Sequence, residues 1–331
     1  MTVVHTGGPY FDELAVGTVY DSAPAVTLTE GLAAVHQSIV GNRLRLSLDS
    51  GLSERVTGRR GPVVHPALVC DVAIGQSTLV THHVIANLFY RGLRFRRFPQ
   101  IGDTLRTRTE VVALRENSVK PGRSATGLAA LRVTTVDQHG IPVLDFHRCA
   151  MLPLSPDPDV NRVSHSDDMS SVGVSVVGDW KIPTGWDLDE YRKETGSSRF
   201  VDPEPGTVFR SSGDVVSDAP ELARTTMNIA AVHHDQRERG SRLVYGGHTI
   251  GLALAQVTRA FPDMVGVLGW TSCDHTGPVR EGDTLFSDVT VEAVDHHRCG
   301  SIVHLRSIVR AQRDDGVDTD VLDWRFVALM P

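Results

Sequence analysis

No stretch of this 331-residue chain approaches the roughly 18 consecutive apolar residues that cross a bilayer as a helix, so no membrane partner is expected. Cysteine is scarce. The four present (Cys70, Cys149, Cys273 and Cys299) are scattered, with no C-x-x-C pair, which argues against a disulfide framework or a structural zinc site and suits a reducing compartment. Positive charge is also short: 33 Lys and Arg against 40 Asp and Glu leave a formal charge of −7. General nucleic-acid binding, which wants a basic face, is therefore not expected, although a local basic pocket for a phosphorylated ligand is compatible with this balance. The N-terminal MTVVHTGGPYFDEL has no basic segment leading into an apolar one, so no secretory signal is expected and cytoplasmic residence is the reading.

What is present is repetition. Gly17-Thr18-Val19-Tyr20 returns as Gly206-Thr207-Val208-Phe209, an offset of 189. Gly102-Asp103-Thr104-Leu105 returns as Gly282-Asp283-Thr284-Leu285, an offset of 180. Val143-Leu144-Asp145-Phe146 returns as Val321-Leu322-Asp323-Trp324, an offset of 178, and both copies run on to a Met/Leu pair and a proline, Pro153 and Pro331. Three matches in one order at nearly constant offset indicate a tandem duplication. The length also favours two domains. The expected division is 1–154 and 174–331, joined by 155–173. The joining segment is rich in Pro, Ser and Asp and lacks apolar periodicity, as in a linker or long surface loop. Trp180, Trp186 and Tyr191 suggest that part of 174–205 packs on a neighbour.

Each half has the same coarse order. An entry strand follows the Gly-Thr-Val turn, then a helical region with a polar loop (29–56; 221–238), then a buried helix (67–80; 249–260). Three or four strands close each half. Segments 105–114, 127–136 and 143–151, and again 285–294, 301–313 and 321–330, show β-branched enrichment and partial alternation. The expected fold class is α+β: in each half a long antiparallel sheet wraps one central buried helix.

The stretch 225–256 is the candidate for a functional site. A polar loop with Asn228, His233, His234 and Asp235 leads into Gly246 and Gly247, then into an almost uncharged segment from Thr249 to Val257. A helix apolar on all sides is a buried helix. Its start offers free backbone N–H groups and the positive end of a dipole, a seat for developing negative charge.

These features resemble the MaoC-like, R-specific enoyl-CoA hydratase family with a tandem (double) hotdog fold. Asn228-Ile-Ala-Ala-Val-His233 has the family's acid-to-histidine spacing of five, and Pro278-Val-Arg-Glu-Gly282-Asp283-Thr284 matches its later turn. The Asn-x-Ala-x-x-His form with Leu243-Val244-Tyr245-Gly246-Gly247-His248 is most similar to the mesaconyl-CoA hydratase branch. The resemblance implies that a water is added across the C2–C3 double bond of an acyl-CoA thioester, or removed in reverse. It makes His233 the acid/base, Asn228 the residue in the acid's place and Gly246 the N–H donor to the thioester oxygen, with Tyr245 and Gly247 beside the substrate. Coenzyme A enters only as part of the substrate, and neither a metal nor another cofactor is implied. The departure from the family is Asn228 where an Asp is usual; an amide orients a water but takes no proton at neutral pH. The burden then falls on His233, with Asp235 or His234 nearby.

The first half lacks these groups. At an offset of 186, Asn42 and Ser47 stand for acid and histidine, and at 180, Pro66 stands for Gly246 and has no N–H. The resemblance implies that this half shapes the pocket. Arg94, Arg96 and Arg97 form the densest basic cluster, expected to hold the phosphates of coenzyme A, with Arg280 as a weaker candidate. Each residue also has a plain structural role open to it: a backbone-bonded loop histidine, a loop amide, glycines required by packing, arginines on a solvated strand edge. A non-catalytic acyl-CoA binder and a hotdog thioesterase remain alternatives; the latter would use a carboxylate near a central helix, and Asp71 is the one acid within either. Two hotdog units in one chain satisfy the usual dimer, so a monomer or a homodimer is expected.

Overall fold

The computed structural model describes residues 6–119, 121–156, 163–174, 178–196, 204–238, 240–313 and 316–331. Two short strands, β1 (Val19–Tyr20) and β2 (Val26–Thr27), open the chain, followed by helices α1 (Glu30–Val40), α2 (Arg45–Leu48), α3 (Ser50–Thr57) and α4 (Pro66–Gln76). Strands β3 (Ala86–Phe95), β4 (Thr104–Glu116), β5 (Thr126–Val136) and β6 (Pro142–Pro153) complete the first set. The order then repeats: α5 (Leu188–Thr195), β7 (Val208–Arg210), β8 (Asp214–Val215), α6 (Ala219–Thr225), α7 (Gly246–Ala260), and β9 (Gly266–His275), β10 (Thr284–His297), β11 (Gly300–Gln312) and β12 (Asp318–Met330).

All twelve strands form one antiparallel sheet whose main path runs β1-β4-β5-β6-β3-β9-β12-β11-β10-β7. The two halves meet where β3 pairs with β9. Tyr90 faces Cys273 and Leu93 faces Trp270, so residues 180 apart exchange places across a pseudo-two-fold axis. The helices α4 and α7 are largely apolar, and each is enclosed. Every residue of α4 is buried, and so are twelve of the fifteen in α7. Pro66 opens α4, where its missing N–H would have had no helical partner.

The duplication is repeated in the hydrogen bonds. Asp103 and Asp283 each accept the backbone N–H three residues earlier, from Gln100 and Arg280, both at 2.9 Å. The glycines before them sit at φ 101° and 90°, which is why these turns carry glycine. Gln76 and Gln256, at the inner face of the two helices, donate from Nε2 to Leu105 O at 3.1 Å and Leu285 O at 2.8 Å. Even the bulges correspond, at 111–113 and 291–293.

Two expectations are refined. The buried helix of the second half starts three residues earlier than the apolar run, at Gly246. Of the joining segment, residues 157–162 lie outside the described residues; 165–167 bond to β4, with Glu116 N–H donating to His165 O and Leu114 N–H to Asp167 Oδ2, and Met169 is buried. Trp180, Trp186, Leu188 and Tyr191 pack with Leu46, Leu52 and Val56, so this part covers the first half's helices.

The halves approach closely at Gly75. A Cβ there would lie 1.7 Å from the carbonyl oxygen of Thr226, in the segment leading to Asn228. The residue 180 positions later is Ala255, so the helix itself accepts a methyl group and only the seam forbids it. Gly75→Ala should destabilise the protein by about 1–3 kcal/mol, the usual cost of overpacking. Chemical denaturation reads this directly; an unchanged midpoint would mean that the seam is not tight.

Candidate active site

The loop after α6 is held by short-range bonds and by the first half. Asn228 N–H donates to Ala223 O at 2.9 Å, and Asn228 Oδ1 accepts Ala230 N–H at 3.0 Å. Ile229 N–H donates to Thr78 Oγ1 at 3.0 Å, and Ala231 N–H to His82 O at 3.0 Å, both across the seam. The chain then makes a 3₁₀ turn, Ala231–His233. His233 is 9% exposed, and its Nδ1 lies 2.8 Å from Leu243 O. A carbonyl only accepts, so Nδ1 carries the hydrogen and Nε2 keeps its lone pair. Burial, with the charges of His234 and Arg148 adding to it and the Leu243 hydrogen bond opposing, brings His233 down to about 4. The ring is thus neutral and in its base form near pH 7.

Asn228, His233, Tyr245 and Gly246 line one cavity of about 350 Å³, and Arg280 lines it too. The cavity spans the seam: Ile74 and Thr78 of the α4 region, the start of β3 and Arg148 of β6 form its other wall. None of its lining side chains is a carboxylate. Gly246 is the first residue of α7, so its N–H has no partner within the helix. A Cβ on Gly246 would lie 2.6 Å from the His275 ring, so glycine is needed here to admit that ring. Tyr245 packs its ring 5.7 Å from that of His233; burial and the Asp71 carboxylate push its phenol well above the usual range, so it stays a donor.

Other expected residues fall elsewhere. Gly247 turns away from the cavity, and a Cβ on it would lie 2.0 Å from Asp71 Oδ1. His234 donates from Nε2 to Asn228 O at 2.7 Å, which makes it a brace of the loop. Asp235 pairs with Arg237 and does not line the cavity. Arg94, Arg96 and Arg97 line a separate surface cavity of about 690 Å³ with Trp180. The pseudo-two-fold axis is the reason: Arg94 lies near the end of β3 and Arg96 and Arg97 just after it, at the positions that correspond to 274–277 of the second half, whereas it is the start of β3 that lines the cavity with His233. From Tyr90 to Arg94 is roughly 13 Å along a strand. Their charges are also engaged, Arg97 with Asp103 and Asp137 at 2.8 Å each, Arg96 with Asp145 at 3.8 Å, and Arg94 over the Trp180 ring at 4.3 Å. Asp71 is buried in the first half, accepts from His36 Nε2 at 3.2 Å and does not line the cavity.

Two polar residues of the cavity stand outside every sequence motif. Arg148 occupies an inward position of β6, at the same parity as Phe146, Ala150 and Leu152. His275 ends β9, and its buried Nε2 has no hydrogen-bond partner. Tyr90 faces Arg148 as Trp270 faces Phe326, and Phe95 faces Leu144 as His275 faces Leu322. Arg148 is therefore the counterpart of Phe326, and His275 of Phe95. A polar residue where the other copy keeps phenylalanine is the signal that would have found both.

The matching region of the first half has its own cavity of about 250 Å³, lined by His36, Asn42, Ser47 and His65 among others. Asn42 Oδ1 accepts Leu44 N–H at 2.7 Å, repeating the Asn228 turn. Among the described residues, no three His, Cys, Asp or Glu side chains converge as a metal site.

His233, His275 and the buried His248 are each brought to about 4, by burial first in every case. The ordinary value is about 6.5, so the unfolded chain binds more protons between these limits and stability rises with pH there. The thermal midpoint should be flat above about pH 6.5 and fall steeply as pH drops towards 4. A midpoint unchanged from pH 7 to pH 4.5 would contradict the buried neutral state of these rings.

No family model matches the chain. A conserved hypothetical protein from Mycobacterium tuberculosis, described as essential for bacterial survival during infection and as having a double hotdog fold, is 57% identical; the match covers 99% of this chain and 100% of that one, with a TM-score of 0.94. A MaoC domain protein of Chloroflexus aurantiacus is 25% identical over 100% of this chain and 99% of its own, with a TM-score of 0.85. Two enzymes are similar in sequence. The beta-methylmalyl-CoA dehydratase of Chloroflexus aurantiacus is 28% identical over 295 residues, 85% of this chain and 81% of that protein. The mesaconyl-CoA hydratase of Cereibacter sphaeroides is 25% identical over 292 residues, 84% and 81%.

Proposed function

The chain belongs to the MaoC-like double-hotdog family, and on that premise we propose that it is a hydro-lyase interconverting a 2-enoyl-CoA and a 3-hydroxyacyl-CoA. The observation that carries this reading is the pairing, in one cavity without a carboxylate, of a base-form imidazole at His233 with a helix-start N–H at Gly246. In the proposed reaction Nε2 of His233 takes a proton from water as the water oxygen bonds to C3. The electron pair of the C2–C3 double bond moves towards the thioester oxygen, where Gly246 N–H holds the developing charge. The imidazolium then returns its proton to C2, and the 3-hydroxyacyl thioester is complete.

The environment suits these steps. A positioned base near the reacting water contributes roughly 10²- to 10⁴-fold, and an oxyanion donor roughly 10²- to 10³-fold. Asn228 Oδ1 is occupied by Ala230 N–H, so the amide offers its NH₂ to the water oxygen and takes no proton. Arg280, at the cavity and bonded to Ser241 Oγ, is the proposed contact for coenzyme A phosphates in place of the distant Arg94, Arg96 and Arg97. The first half, with Ser47 and Pro66 at the corresponding positions, is proposed to wall the pocket and not to catalyse. One chain supplies both walls, so a single chain would suffice.

The thioesterase alternative is disfavoured by Asp71, which is buried behind Tyr245 and does not line the cavity. The absence of any carboxylate from the cavity favours one second reading, an acyl-CoA binder without turnover. Steady-state hydration over a panel of enoyl-CoAs, with a thiol reagent following release of free coenzyme A, separates the three. His233→Ala should lower kcat/KM by about 10²- to 10⁴-fold; wild-type turnover in this variant would remove the assignment. Because His233 must be neutral and titrates at about 4, kcat/KM should show no acid limb near 6.5 and should fall only as pH approaches 4.

A further inference from the structure

His275 closes β9 and lines the candidate cavity beside Asn228, His233 and Gly246, yet the proposed steps leave it without a role. Its ring lies against the start of α7. The position of a Cβ on Gly246 is 2.6 Å from Cε1, 2.7 Å from Nε2 and 3.5 Å from Nδ1. Nε2 is therefore the ring nitrogen nearer to Gly246, and it is buried without a hydrogen-bond partner among the described residues. A buried polar atom left unpaired is costly, so a ligand atom that pairs with it gains by doing so. The Tyr90 ring packs edge-on against the imidazole at 5.8 Å, which holds it between β3 and α7.

The sheet does not need a polar ring at this position. The corresponding residue of the first half is Phe95, stacked on Phe98 at 5.3 Å. That half also lacks the helix-start donor, because Pro66 stands where Gly246 does and has no N–H. The imidazole and the N–H thus occur together in one copy and are both absent from the other, as two parts of one device would be. The close approach of the ring to Gly246 puts both donors at one place, since the N–H belongs to the same residue that admits the ring. The ring is also in a form suited to donate a hydrogen bond and keep its proton. Burial, with Arg148 adding to it, brings His275 down to about 4, and the positive end of the α7 dipole opposes a further positive charge beside it. A neutral imidazole has one N–H to donate.

We propose that His275 is a catalytic residue whose Nε2–H donates to the thioester oxygen beside the Gly246 N–H, so that two donors hold the enolate charge. This rests on the hydro-lyase reading of the same cavity. His275 gives up no proton in the cycle. Its hydrogen bond strengthens as the electron pair of the C2–C3 double bond moves towards the thioester oxygen, and weakens again when His233 returns the proton to C2. A donor aimed at charge that develops in the transition state acts there more than on bound substrate, so its loss falls on kcat more than on KM.

The thioester carbonyl reports its donors without turnover, because each hydrogen bond weakens the C=O bond and lowers its stretching frequency. Infrared difference spectra of the full-length protein saturated with butyryl-CoA, labelled with ¹³C at the thioester carbonyl, should show a stretch below that of the same thioester in water. In His275→Phe the stretch should move part of the way back up. His275→Gln, whose amide keeps an N–H, should show a smaller change. A wild-type stretch no lower than in water overturns the proposal, whether or not the variants fold. So does an unchanged stretch in folded His275→Phe, or in His275→Leu should the phenylalanine not be accommodated. Hydration of the enoyl-CoA panel is measured in parallel. On the fastest substrate His275→Phe should lower kcat by on the order of 10²- to 10³-fold, with KM changed by less than about tenfold; an unchanged kcat overturns the proposal too. If the wild type hydrates none of the panel, the hydro-lyase reading falls, and the carbonyl stretch still decides whether His275 holds the thioester oxygen.

Discussion

Between residues 89–94 and 269–274, β3 and β9 exchange backbone hydrogen bonds and turn two hotdog sheets into one. Alone, each half would expose an unpaired strand edge along this line, a liability that folded chains avoid by pairing or covering. The pairing is antiparallel and nearly symmetric, so it sets the pseudo-two-fold axis and, with it, which ends of the two halves face each other. The His233 loop lies against Thr78 and His82 because of that placement, and Gly75 is free of a Cβ because the loop backbone passes there. The cavity belongs to neither half. It is the space left where the start of β3 and the end of β9 splay around the first turn of α7.

Desolvation then sorts the polar groups of that space. Imidazoles cost least when neutral, and His233 and His275 are pushed in that direction by burial. A guanidinium has no such escape and stays charged. One cavity therefore holds neutral imidazoles together with two permanent cations, Arg148 and Arg280, and the start of α7. The Leu243 carbonyl adds a definite tautomer, so the lone pair of His233 is at Nε2 by the acceptor chemistry of its neighbour.

The two copies show how one scaffold diverges without altering its frame. Gln76 and Gln256, Asp103 and Asp283, and the Asn42 and Asn228 turns make the same bonds. Differences include four positions that line the cavity at the seam: His233 against Ser47, Gly246 against Pro66, His275 against Phe95, and Arg148 against Phe326. The frame is held by backbone and amide hydrogen bonds, which tolerate such exchanges.

Much of the frame was legible from local pattern. The repeats, the two nearly uncharged helices and the long alternating strands follow from spacing and composition, and the spacing of Asn228, His233 and Gly246 marked the half with the imidazole and the N–H. What local pattern did not carry was the partner of each edge. Arg94, Arg96 and Arg97 are a basic cluster in sequence, yet the register of β3 against β9 sends them to the far side of the two-fold axis. Gly247 follows Gly246 in the chain, yet the 100° step of a helix turns it towards Asp71. Arg148 and His275 belong to no motif, and they reach His233 only because strands far apart in the chain are paired. The sequence by itself determined the elements, their duplication and the half that kept the imidazole, because those depend on neighbours a few residues away. Only the tertiary structure decided which side chains share the cavity, because that depends on hydrogen-bond register between halves 180 residues apart.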